Sequence, residues 1–241
     1  MRYVFGLVPA GAEVPDDLVG LDEEGVHLVT EGDLAVVVGG APADRPLGRR
    51  ADLFAHSRVL DAFAQIGPVV PTRFGSVMQD ENQVLEDLLR PNREHFSGLL
   101  QDLEGRAQFT LRARYDETTV LSEVVSEDPE IARLREETRD RPEDRTYPAR
   151  VRLGELVARA MEAKRDTDGR SVLESMVGHA VAYDVQDTGG LDDLIEVAFL
   201  VEDGRRDAFD AAAERVAEAF AGRAKVRLLG PLAPYNFVPK E

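Results

Sequence analysis

The chain has 241 residues, 43% of them hydrophobic, and 46 acidic against 29 basic residues leave a net charge of -17 at neutral pH. Such a field repels a phosphate backbone, so nucleic acid is not an expected partner, and the length allows one large domain or two small ones. The chain has no cysteine, which excludes disulfides, thiolate metal sites and thiol nucleophiles together.

The opening Met1-Arg2-Tyr3-Val4-Phe5-Gly6-Leu7-Val8-Pro9 is too short an apolar run for a signal peptide. No later stretch approaches the roughly 18 apolar residues of a membrane span. A soluble cytoplasmic protein is expected, with no membrane partner. Tyr3, Phe5 and Leu7 alternate with Val4 and Val8, which suits a strand buried on both faces. Val26–Val29 and Leu34–Val38 flank Glu31-Gly32-Asp33 as the arms of a hairpin. Residues 39–50, rich in Gly, Pro and Arg, lack a Gly-Lys-Ser/Thr ending and read as a loop, not a phosphate cradle.

From Ala51 to Ile66, Ala55, Val59, Leu60, Phe63 and Ile66 define one helical face, with His56 just off the stripe. Pro68-Val69-Val70-Pro71 must run extended, because proline lacks the amide donor and biases its predecessor away from helix. Thr72-Arg73-Phe74-Gly75 follows, and Asp80 with Gln83 forms a capping box for a second helix. Its pattern restarts after Pro91, continues through Phe96, Leu99, Leu100 and Leu103, and ends at Gly105.

Gln108 to Tyr115 alternates as a half-exposed strand. Asp128-Pro129 is an N-cap with proline at the first helical position, and the charged stretch 123–145 reads as a solvated helix and loop. Two helices are expected before residue 181, one around Leu153–Met161 and one capped by Ser171 and Glu174. Val181, Tyr183 and Val185 alternate as a strand, with Ile195 to Val201 as its hairpin partner. A helix through Phe209, Ala213, Val216 and Phe220 ends at Gly222, and Val226 to Leu229 lie on a last strand.

The expected class is therefore α+β in two domains. Residues 1–105 form an N-terminal α+β domain. Residues 106–232 form a ferredoxin-like split βαβ with an enlarged helical first crossover, and residues 233–241 form a tail packing back on the protein.

Catalytic constellations are missing from the sequence. The four histidines, His27, His56, His95 and His179, have no metal-ligand spacing, and there is no nucleophile elbow. Paired carboxylates such as Asp192-Asp193 read as solubilising charges, and Arg73 as the partner of a structural carboxylate. No cofactor, metal or catalytic residue is assigned. In the tail, Leu232, Tyr235, Phe237 and Val238 carry more apolar surface than an unattached terminus should.

Taken together, Tyr3-Val4-Phe5-Gly6, His56, Pro71-Thr72-Arg73-Phe74-Gly75 and Gly230-Pro231-Leu232-Ala233-Pro234-Tyr235-Asn236-Phe237-Val238 resemble the gas vesicle protein F and L family over nearly the whole chain. The sequence departs from many relatives at Leu232 and Ala233, where they carry Trp and Pro. The resemblance implies a non-enzymatic minor component of gas vesicles. Such a component binds the major shell protein, gas vesicle protein A, acts with other minor gas vesicle proteins, and supports nucleation or assembly of the shell. His56, Pro71, Arg73, Phe74, Gly75, Gly230, Pro231, Tyr235 and Phe237 are the candidate interaction residues. The alternative is a small-molecule-binding protein or enzyme using an interdomain cleft near Arg73 and His56.

Overall fold

Arg2–Pro9 forms β1, the strand around which the first sheet is assembled, and six of its eight residues are buried. The computed structural model describes residues 1–190 and 192–239. β1 pairs antiparallel with β3 (Leu34–Gly40) on one side. On its other side lie β4 (Val70–Pro71) and β5 (Val77–Met78), also antiparallel. β2 (His27–Glu31) completes the sheet as the hairpin partner of β3. Gly6 faces Pro71 and Leu7 faces Val70, so the proline-bounded connector is a short strand where the missing amide is tolerated. Thr72 continues that pairing, its N–H reaching the Phe5 carbonyl at 3.0 Å.

Helix α1 (Arg50–Ala64) lays Ala55, Val59, Leu60 and Phe63 on the sheet, where Tyr3, Phe5, Ala35 and Val37 receive them. Its N-terminus is locked by Asp52, which accepts from the Gly48 and Arg49 amides at 3.1 and 3.0 Å and pairs bidentately with Arg45. The Arg45 hydrogen bonds hold the Asp52 carboxyl down to about 2. α2 (Glu81–Gln83) opens on Asp80 as its N-cap, but the reciprocal bond of the expected capping box falls one residue earlier, on Gln79. Asp80 accepts from the Gln83 amide at 2.9 Å, and the Gln83 side chain accepts from the Gln79 amide at 2.7 Å. A π-helical turn, Val84–Leu89, follows, and α3 (Arg93–Leu103) restarts beyond Pro91 as expected, with Gly105 at φ +66° after its end.

The second sheet has strand order β7-β8-β6-β9, with β6 (Arg106–Tyr115), β7 (Ala182–Gln186), β8 (Asp193–Glu202) and β9 (Ala224–Leu232). Between β6 and β7 come α4 (Glu117–Glu127), α5 (Pro129–Thr138) and α6 (Glu143–Met176); α7 (Arg206–Ala219) joins β8 to β9. Asp128 caps α5 through the Glu130 and Ile131 amides, with Pro129 at the first helical position. The molecule is thus mixed α+β, and two compact units can be distinguished. One comprises residues 1–109, 199–204 and those from 229 onward; the other comprises 110–198 and 205–228. Both units draw on non-contiguous stretches, and β6, β8 and β9 each contribute residues to both, which a boundary drawn along the chain does not describe.

Four expectations are corrected. The two helices expected before residue 181 are one helix of 34 residues, about 50 Å long. Ser171 lies inside it and caps no new start, and two hydroxyls flanking it bond backward along the helix: Thr167 Oγ1 donates to the Ala163 carbonyl and Ser175 Oγ to that of Ser171, both at 2.9 Å. The charged stretch 123–145 is more than a solvated helix and loop, because Val124, Ile131 and Leu134 form a small core with Leu156. β6 is half-exposed only in its later part, since Gln108 and Thr110 are buried. Asp193, read as solubilising, is buried, bonds the Gly190 amide at 2.9 Å and pairs with Arg114.

Candidate functional site

Three segments far apart in sequence meet around His56 in the first unit. The imidazole centroid lies 5.7 Å from Tyr3 and 5.9 Å from Phe5 on β1, 5.7 Å from Phe74, and 6.2 Å from Tyr235 in the tail. Phe5 stacks on the ring; Tyr3 and Phe74 meet it nearly edge-on. Helical spacing places His56 one turn before Leu60 and one residue after Ala55, so the ring leaves α1 beside the apolar stripe and ends 97% buried.

Polar order inside this cage is specific. The Gly75 amide donates to the Tyr3 hydroxyl at 3.0 Å, and the hydroxyl donates to His56 Nδ1 at 3.0 Å. That arrangement leaves the imidazole proton on Nε2, which is buried without a hydrogen-bond partner among the described residues. Burial pushes the His56 pKa down to about 4, and the Thr72 backbone opposes this weakly. His56 is therefore a neutral structural ring at physiological pH. Burial also pushes the Tyr3 phenol up to about 12 and raises that of Tyr235.

The tail reaches the cage because two contacts hold it. Asp61 Oδ1 accepts from the Ala233 amide at 2.9 Å, and Ala233 is fully buried. Gln108 exchanges two bonds with Asn236, donating to Oδ1 at 3.0 Å and accepting from its amide at 3.2 Å. Gly230 precedes Pro231 through a cis peptide and packs against the Phe109 ring. Pro231 and Phe237 are half-buried, and Tyr235 stays 36% exposed.

Beside the cage, still within the first unit, lies a groove of about 480 Å³. Val70, Leu88, Phe96, Leu99 and Val238 supply apolar wall; Arg73, His95 and Tyr235 add polar groups. Arg73 is exposed, and among the described residues no carboxylate pairs with it. The expected structural carboxylate partner is thus corrected: the Thr72–Gly75 turn carries the guanidinium outward. His56 faces the cage interior and does not line the groove, so Arg73 and His56 do not share a cleft.

Of the candidate residues, the structure brings His56, Phe74, Gly75 and Tyr235 into the cage. Pro71 and Arg73 lie on the groove, and Gly230, Pro231 and Phe237 lie in the segment that delivers Tyr235. Sequence reasoning missed Asp61, Gln108 and Leu99. Asp61 and Gln108 had no signal, each being one polar residue in an ordinary amphipathic element. Leu99 lay on the marked apolar face of α3 but was read as core. Among the described residues no group of His, Asp and Glu could hold a metal ion, and no helix is long and apolar enough to cross a membrane.

The fold recurs in solved structures of gas vesicle proteins. The crystal structure of GvpF from Anabaena sp. PCC7120 superposes with a TM-score of 0.81, covering 100% of this chain and 98% of that one at 21% identity. GvpF from Microcystis aeruginosa gives 0.75 over 98% of both chains, also at 21% identity. At that identity the likeness establishes a shared fold. In sequence, gas vesicle protein F of a Streptomyces species is 33% identical over 243 aligned residues, 98% of each chain. Residues 1–239 match the family described as gas vesicle synthesis protein GvpL/GvpF, and the chain belongs to that family.

Proposed function

We propose that this protein is a minor structural and assembly component of gas vesicles, cytoplasmic before incorporation, which binds the major shell protein, gas vesicle protein A, and supports nucleation or assembly of the shell. It makes or breaks no covalent bond. The family match over residues 1–239 carries this reading, and the groove supplies a place for it. A wall of Val70, Leu88, Phe96 and Leu99 with the Arg73 guanidinium beside it suits an amphipathic segment bearing a carboxylate. Its apolar side is desolvated in the groove while Arg73 takes the acid. The cage holds this wall in place, since Tyr235 belongs to both.

The second sheet fits the enlarged ferredoxin-like reading. In the order β7-β8-β6-β9 each βαβ unit, β6 to β7 and β8 to β9, is split by a strand of the other. Such a sheet carries no function by itself, so the partner assignment rests on the family and the groove.

The test is co-purification of the intact chain with the shell protein, followed by crosslinking and mapping of the joined residues. Crosslinks are expected around Arg73 and Leu99, and Arg73→Glu with Leu99→Asp is expected to abolish capture. Absence of binding across low and high salt overturns the proposal. The same assay with other minor gas vesicle proteins reads whether they share the groove.

A further inference from the structure

Helix α1 shows solvent a face without an exposed acid, although the chain bears a net charge of -17. Its two carboxylates are committed elsewhere: Asp52 is buried against Arg45, and Asp61 is half-buried and holds the Ala233 amide. Each of α3 to α7 exposes acids, Glu94, Glu117, Glu130, Glu143 and Asp207 among them, so α1 stands apart. Arg50, Phe54 and Arg58 are exposed and follow at four-residue steps, which sets them in one line along the helix about 6 Å apart. Phe54 is 59% exposed, with the Arg50 guanidinium over its ring at 5.1 Å from the centroid. Arg58 donates to the Val19 carbonyl at 2.9 Å. Among the described residues no carboxylate pairs with Arg49, Arg50 or Arg58.

Helix α7 presents the opposite surface. Asp207, Glu214 and Glu218 are exposed and lie in line on the side away from buried Phe209, Ala213 and Val216. Half-buried Ala211 is the small residue on that ridge, between Asp207 and Glu214. Arg215 stands one helical step off the line. Among the described residues none of the three acids has an ion-pair partner.

We propose that α1 of one copy of this chain docks antiparallel on α7 of a second copy, with the Phe54 ring seated over Ala211. Spacing along the two helices then matches an arginine to an acid on each side of the ring. Arg58 meets Asp207, four residues from the centre on both helices, and Arg50 meets Glu214, four and three residues away. Glu218 falls at the N-terminal end of α1, where Arg49 and the helix dipole favour negative charge. A parallel arrangement would set Glu218 beside Asp61, which fixes the direction. Seating the ring on Glu214 or Glu218 would bury a carboxylate beneath it, which fixes the register.

Exposed ion pairs contribute little singly, so burial of the ring supplies the attraction and the arginines select the partner. Both halves of the complement lie on one chain, which makes a second copy the fitting occupant. The two halves differ, so the contact is heterologous: α7 of the first copy and α1 of the second remain to take further copies or to close on one another. None of these residues lines the Arg73 groove, and self-association and capture of the shell protein are separable.

Sedimentation of the intact chain at increasing concentration reads the contact, and the average mass is expected to rise. Arg50→Glu with Arg58→Glu, and separately Asp207→Lys with Glu214→Lys, are each expected to weaken self-association at least about tenfold. An equal mixture of the two double variants is expected to associate again, because the intact α7 of the first accepts the intact α1 of the second. Loss of stability at these positions would give no such rescue. Should either double variant fail to fold by circular dichroism, Phe54→Ser mixed with Glu214→Lys decides in its place. A parent chain that stays monomeric at every concentration overturns the proposal. So does undiminished self-association in either double variant, or a mixture whose members stay apart as each does alone.

Discussion

Tyr3 and His56, 53 residues apart, share a buried hydrogen bond of 3.0 Å from the phenol hydroxyl to Nδ1. The same hydroxyl accepts from the Gly75 amide, so one oxygen ties the first strand, α1 and the Pro71–Gly75 motif together. Tyr3→Phe keeps every ring contact and deletes that oxygen, leaving both Nδ1 and the Gly75 N–H without their partner. The expected loss is about 1–3 kcal/mol, read from the urea midpoint at pH 7 with the slope unchanged. A midpoint within error of the parent would mean that water or a backbone shift replaces the phenol.

Acid should reach His56 before it reaches the Arg45–Asp52 pair. His56 titrates near 4 in the folded chain against 6.5 for an ordinary histidine, so between those values the unfolded chain binds a proton that the folded one does not. Its contribution is complete above pH 6.5 and is lost as pH falls to about 4, at most about 3 kcal/mol. Asp52, held down to about 2, contributes above the ordinary carboxyl value of 3.8 and loses that contribution only as pH falls toward 2. Asp61, raised by burial, works in the opposite sense, losing its penalty as it protonates. His56→Gln retains both carboxylates. The parent's urea midpoint should therefore fall relative to that of His56→Gln as pH drops from 6.5 to 4, and parallel curves would refute the assignment.

Much of the fold was legible because its causes are local. The Asp80 cap, the Asp128-Pro129 start, the Glu31–Asp33 hairpin link and the stops at Gly105 and Gly222 each depend on residues within a few positions. The long α6 was not legible: Thr167, Asp168, Gly169 and Ser171 look like a break, but Gly169 is buried near Ile195 of β8 and the Thr167 hydroxyl bonds inside the helix. The cage was legible only as scattered motifs. Nothing in the sequence says that Tyr235 approaches the same imidazole, because that meeting requires β1, α1 and the tail to be packed first. Arg73 was read as structural because arginine usually finds a carboxylate; its turn projects it past every one described.

Glycine at two motif positions answers different demands, and substitution should separate them. A Cβ on Gly230 would stand 2.5 Å from Phe109 Cδ1 and 3.0 Å from the Gln108 carbonyl oxygen, at φ +148°. Gly75 has φ +95° but nothing within 4 Å of its would-be Cβ. Gly75→Ala is expected to cost about 1–2 kcal/mol of backbone strain, and Gly230→Ala about 3 kcal/mol or more as the ring and backbone are pushed aside. Thermal unfolding of both variants gives the order. Equal losses would mean that Phe109 relaxes freely, and the tail would then have no steric anchor there.

Asp61 decides whether the tail stays on the cage. Its carboxylate is partly buried, which raises its pKa, and the Ala233 amide partly offsets that burial by donating to Oδ1. Asp61→Ala removes the acceptor and leaves a buried N–H unpaired; Asp61→Asn keeps a carbonyl oxygen at the same place and removes the charge. Amide exchange at Ala233, Tyr235 and Phe237, all hydrogen-bonded here, should accelerate about tenfold in Asp61→Ala and stay near the parent rate in Asp61→Asn. Since Tyr235 and Val238 also wall the groove, the alanine variant should lose capture of the shell protein together with tail protection. Faster exchange with capture intact would place the binding surface elsewhere, while unchanged exchange would show that Gln108 and the apolar contacts of Ala233 hold the tail without Asp61.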